Sequence, residues 1–190
     1  MNRDEGRGVR RLYALYALIA AATFLVGGAP SSGRSFRLRS ASFSNGERIP
    51  RRFICRALGG RNRSPELHWN APPTGTKSFA LVVHDPDAPA PGGWWPWGIY
   101  NIPPTTRGIG SGGPVPGSQA IGSSRQRRYN GPCPPPGKIH HYYFTLYALD
   151  RARLGRSAPL TARELSRLAA RHAIAETRLT GLWSVPRPSR

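Results

Sequence analysis

Two carboxylates two residues apart, two adjacent imidazoles and a single pair of cysteines are the chemistry-bearing features of this chain. Asp85 and Asp87 straddle Pro86 in HDPDAP, residues 84–89. Carboxylates so spaced can ligate a metal, orient a general base or cap the turn after a strand, and spacing alone favours the turn. His140 and His141 open HHYYFTLYALD, residues 140–150. On a strand they point to opposite faces, so one can reach a site while the other meets solvent. Cys55 and Cys133 can pair in an oxidising compartment or stand as two separate buried thiols. No GxSxG elbow occurs and prolines flank Cys133, so no activated nucleophile is evident. The expectation is a non-enzymatic binding module with no metal and no cofactor. A hydrolase using His140 with Asp85 or Asp87 is an alternative.

The elements that must position these groups read as strands. SFALVVHD (78–85) is a strong strand, WGIYNIP (97–103) another, and residues 140–150 the longest β segment. FRLRSASF (36–43) alternates as an N-terminal strand, and RFIC (52–55) is a further short one. Residues 107–124 read as a long Gly/Ser/Pro loop, and Gly92 to Trp95 as a rim loop before the 97–103 strand. Helix signals come late: Thr161 with Glu164 makes a capping box, and Leu160 with Leu165 has the spacing of a hydrophobic staple. A short strand is expected around Glu176 to Thr180. Strands do not alternate with helices, which argues against a doubly wound parallel sheet. The expected class is mostly β, a sandwich with one or two C-terminal helices.

A chain of 190 residues suits one domain, and its 22 glycines and 20 prolines point to a loop-rich fold. Its formal charge of +19 is carried almost entirely by arginine, since Lys77 and Lys138 are the only lysines. The arginines are dispersed along the sequence and no nucleic-acid motif accompanies them, so specific nucleic-acid binding is not expected. A lipid-surface or polyanion binder driven by the arginine excess is the alternative.

The N-terminus differs from the rest. Arg3, Arg7, Arg10 and Arg11 precede LYALYALIAAATFLVGG, residues 12–28, a run without charge. A basic stretch followed by an apolar run and small residues is the pattern of an export signal. Residues 1–29 are therefore expected to be a signal peptide, or an uncleaved inner-membrane anchor, and residues 30–190 the exported domain. That places the domain in the periplasm or outside the cell. Membrane contact is expected only through an uncleaved N-terminus or weak attraction to anionic lipid.

Several motifs recur in a known order. They are Ser64-Pro65 with Leu67 and Trp69, the block Asp85 to Pro89, Gly93 and Trp97, and Ile99 to Pro103. Tyr129, Gly131 to Pro135, His140, Tyr142, Phe144 and Tyr147 to Asp150 complete the set. In these the chain resembles the phosphatidylethanolamine-binding protein family, also called the Raf kinase inhibitor family, in its bacterial branch. The resemblance covers roughly residues 36–184. It implies a Greek-key β-sandwich with a small end cavity for phosphate-like or other anionic groups. It also implies pocket roles for Asp85, Asp87, Trp94, Gly131, His140 and Tyr142. A protein-regulating, inhibitor-like role with an unidentified partner is the finer implication. The chain departs from the pattern at Pro96, where the family usually has histidine, and proline supplies neither a side-chain donor nor an N–H. It departs again after Cys55, where an acidic-glycine turn is replaced by residues 56–60, RALGG. The loss at position 96 predicts weak phosphate binding or a more apolar ligand.

Overall fold

The computed structural model describes residues 35–155 and 158–187; the expected export segment, residues 1–29, lies outside them. Among the described residues the chain runs β1 (Arg37–Arg39), β2 (Glu47–Arg48), β3 (Leu67–Asn70), β4 (Ser78–Asp85) and β5 (Trp94–Ile102). It continues with β6 (Gly108–Ile109), β7 (Ser118–Gln119), β8 (His140–Leu149), α1 (Ala162–His172) and β9 (Ala173–Trp183). A six-stranded sheet has the order β2-β9-β8-β4-β5-β7, and a three-stranded sheet the order β1-β3-β6. The chain is mostly β, two sheets with one α-helix against the larger.

Strand β4 shows why the layers form. Phe79, Leu81 and Val83 turn into the space between the sheets, while Ala80 and Val82 turn to the opposite face. Both faces are covered, so an almost continuous apolar run is the stable solution. Leu38, Leu67, Trp69 and Ile109 of the small sheet meet Phe79, Leu81, Phe144 and Leu146 in the inter-sheet core. On the outer face Ala162, Leu165 and Ala169 of α1 cover Ala80, Val82, Tyr147 and Leu149. Each large apolar side chain so buried contributes roughly 1.5–3 kcal/mol relative to exposure.

The helix starts where its cap dictates. The Thr161 hydroxyl accepts from the Glu164 N–H at 3.2 Å, and the Glu164 carboxylate accepts from the Thr161 N–H at 2.9 Å. After His172 the chain turns directly into β9, which pairs along the whole length of β8 from His140 with Trp183 to Leu149 with Ala173. That pairing makes β9 eleven residues long, well beyond the expected 176–180. Cys55 and Cys133, 78 residues apart, are joined by a disulfide.

Other expectations are corrected. Residues 52–55 form no strand: Pro50 starts a 3-10 turn, Arg51–Phe53, closed by the Phe53 N–H on the Pro50 carbonyl. The first strand stops at Arg39 because the hydroxyls of Ser40 and Ser42 bond to Glu66, and the Ser42 N–H turns back to Ser40 Oγ. Residues 107–124 contain β6 and β7, whose two-residue pairings depend on neighbours distant in sequence. Strand β5 begins at Trp94 rather than 97, so Trp94, Trp95 and Pro96 are strand residues. The ladder tolerates Pro96 because β4 and β5 shift register between Val83 and Asp85, an irregularity where no N–H is demanded. Among the described residues no helix is long and apolar enough to cross a membrane.

Candidate functional site

Asp85 ends β4, Trp94 begins β5 and His140 begins β8, so these three candidate side chains meet at one end of the large sheet. Between them and the loop 130–135 lies a cavity of about 270 Å³. Its wall includes Asp85, Trp94, Gly131, Cys133, His140 and Tyr142, with Ala88, Pro89, Pro134 and Pro135 giving it a largely apolar mouth.

His140 is fully buried, and its Nδ1 lies 2.9 and 3.1 Å from the two Asp85 carboxylate oxygens. The same carboxylate accepts from the Asp87 N–H at 3.0 Å. Burial, and then the Asp85 carboxylate, push the Tyr142 phenol upward, so the phenol stays a neutral donor beside it. A carboxylate only accepts, so His140 Nδ1 carries the proton. The other ring nitrogen, Nε2, is buried and has no hydrogen-bond partner among the described residues. Leaving such a group unpaired costs roughly 1–3 kcal/mol. It belongs to a ring that lines the cavity.

Asp87 turns the other way. Partial burial works to raise it, but the backbone N–H and ring of His141, with Lys138 nearby, hold its carboxyl below the usual range. Both His141 donors reach Asp87 Oδ2, at 2.9 and 2.8 Å. Adjacent histidines on opposite faces thus engage two aspartates, one pair buried and one partly exposed. Asp87 does not line the cavity, and neither does Pro96. Pro96 is buried behind the wall, where its carbonyl accepts from the Asn130 N–H at 3.3 Å.

Gly131 is required by close packing: a Cβ there would run into the Phe53 carbonyl. Its N–H donates to Asn62 Oδ1 at 2.7 Å, so it is not free for a ligand. Sequence reasoning missed Asn62, which holds a left-handed φ of 53° to make that bond. Its only signal was its residue type, since asparagine tolerates this conformation better than most. Also missed was His84, stacked on Trp95 at 3.9 Å on the outer face of the sheet. Among the described residues no three His, Cys, Asp or Glu side chains are grouped so as to hold a metal ion.

Comparison with known proteins agrees with this fold. The family model described as phosphatidylethanolamine-binding protein matches residues 39–184. The chain belongs to the phosphatidylethanolamine-binding protein family. It is 34% identical over 157 residues to the UPF0098 protein YbhB of Escherichia coli, covering 78% of this chain and 99% of the relative. A UPF0098 protein of Methanothermobacter thermautotrophicus is 38% identical over 152 residues, covering 77% and 97%. The crystal structure of Escherichia coli YbcL, described as a new member of the mammalian PEBP family, superposes with a TM-score of 0.74. That match has 30% identity and covers 79% of this chain and 98% of YbcL. In this family member the cavity wall carries one imidazole, His140, and no arginine or lysine.

Proposed function

We propose that this chain is a non-enzymatic binding module whose end cavity captures a small ligand with a phosphate-type anionic head and an apolar body. The observation that carries this reading is the unpartnered Nε2 of His140, on a cavity-lining ring whose orientation the Asp85 bond fixes. With Nδ1 protonated and the ring neutral, Nε2 offers only a lone pair. An anion is bound only if the ring takes a second proton and becomes a donor, which also supplies a compensating charge. The apolar mouth favours a ligand whose head enters and whose body rests on proline, alanine and Trp94. The basic-then-apolar N-terminus and the Cys55–Cys133 disulfide support an extracytoplasmic setting, being what an exported protein of an oxidising compartment uses. A protein-regulating role would be exercised through the rim of this cavity.

Calorimetric titration of the full-length protein with O-phosphoethanolamine and inorganic phosphate tests the reading. Binding that a His140→Asn variant weakens about tenfold or more supports it. Binding unchanged in that variant overturns it. A second reading draws on the same Asp85–His140 pair as a general base for water. Turnover of phosphate or carboxylate esters, lost in His140→Asn, would favour it over binding alone.

A further inference from the structure

Arginines that are scattered in sequence gather in space. The segment after Cys55 and the loop ending at Arg128 converge on a cleft of about 300 Å³ lined by Arg56, Arg61, Arg63 and Arg128. No carboxylate lines it. Among the described residues the one arginine–carboxylate ion pair is Arg151 with Asp150, so none of these four is neutralised by a protein partner. Four like charges held around one concavity repel one another, and a bound anion relieves that repulsion.

The neutral groups of the cleft are also arranged as donors. Gln119 has its carbonyl oxygen occupied by the Trp97 indole N–H at 2.8 Å, which leaves its amide N–H groups available. Asn62 has its oxygen occupied by the Gly131 N–H and one amide N–H on the Tyr129 carbonyl at 3.5 Å, which leaves its second N–H. Ser64 Oγ already accepts from the Gly112 N–H at 3.0 Å, leaving its hydroxyl hydrogen to give. Two guanidinium groups are anchored: Arg63 on the Ser111 carbonyl and Arg128 on Gln126 Oε1, both at 2.8 Å. Arg56 and Arg61 are exposed at the rim. Buried Trp97 and Tyr129 make the floor.

We propose that this cleft is a second anion site, separate from the His140 cavity, which takes a small molecule carrying two or more phosphate or sulfate groups. Guanidinium forks match both head groups bidentately, and the concave shape with an aromatic floor suits a compact polyanion rather than an extended one. Asn62 and the 129–131 backbone form the partition between the two sites.

The test is titration of the full-length protein with inorganic pyrophosphate, and with sucrose octasulfate to separate phosphate from sulfate preference, at about 20 and about 200 mM NaCl. Affinity is expected to fall about tenfold or more in an Arg56→Gln/Arg61→Gln variant. It should change less than about twofold in Arg167→Gln/Arg171→Gln on the exposed face of α1. Equal losses in both arginine pairs would mean diffuse charge attraction and overturn the site. Loss only in His140→Asn, or no binding at low salt, would overturn it as well. Amide spectra give a readout that needs no variant. Pyrophosphate should move the side-chain NH₂ signals of Gln119 and Asn62, and shifts confined elsewhere contradict the proposal.

Discussion

His140 Nδ1 lies 2.9 Å from Asp85 Oδ2, with both side chains almost wholly out of solvent. This bond fixes the tautomer of the ring. Under the proposed function it makes anion capture a protonation event rather than simple docking.

The first prediction follows from that coupling. Anion binding should take up close to one proton per site, so affinity should fall as pH rises. Calorimetry in two buffers of different ionisation enthalpy measures the uptake directly. A heat independent of buffer would contradict the coupling. Asp85→Asn should weaken binding by about tenfold or more, because it removes the charge that stabilises the imidazolium.

Gly93 is a backbone condition for the site. It has a φ of +77°, and a Cβ there would stand 2.5 Å from the Asp85 carbonyl oxygen and 2.6 Å from His84 Nε2. Gly93→Ala should cost about 1–3 kcal/mol of stability and displace Asp85, weakening ligand binding. Gly92→Ala has the same φ but meets only the tip of the Arg163 side chain. It should lose comparable backbone freedom while sparing the ligand. Urea melts and ligand titration of both variants separate the two effects.

The disulfide spans 78 residues and attaches Cys133, on the cavity wall, to the 3-10 turns of residues 51–58. Closing a loop of this size contributes about 4–5 kcal/mol in the chain-entropy picture. A Cys55→Ser/Cys133→Ser variant should therefore melt at lower temperature and lower urea, with loop 130–135 loosened. An unchanged midpoint would remove the bridge from the list of what stabilises the fold.

His84 gives a pH signature of its own. Burial holds its imidazole below the usual value of 6.5, although the Gly92 carbonyl works the other way. The unfolded chain therefore binds this proton first as pH falls. The stability tied to neutral His84 is fully present above about pH 6.5 and is lost as pH falls toward the lower folded value. Urea melts at about pH 5 and pH 7.5 should show a smaller acid loss in His84→Gln than in the wild type. An equal or larger loss in the variant would contradict the assignment.

What could be read from the sequence was what local pattern dictates. The doubly buried run of β4, the aromatic β8 and the Thr161–Glu164 cap each follow from residues within a few positions. Asp85, His140 and Tyr142, which the family resemblance singled out, line one cavity. The start of β5 was not, since Pro96 reads as a break until the register shift opposite it is seen. Strands β6 and β7 were hidden because two residues carry no period and pair only through the folded chain. Asn62 and the arginine cleft were invisible for the same physical reason: their partners lie about seventy residues away, as with Asn62 and Gly131. Proline at 96 reads in sequence as a pocket residue with a missing donor, whereas its side chain stands behind the cavity wall.

The most direct measurement is the nitrogen-15 spectrum of the His140 ring, recorded with and without saturating O-phosphoethanolamine. Free protein is predicted to show a neutral ring protonated at Nδ1, and bound protein a ring protonated at both nitrogens. A free ring protonated at Nε2, or a ring unchanged by ligand that is bound, would contradict capture of the anion through His140.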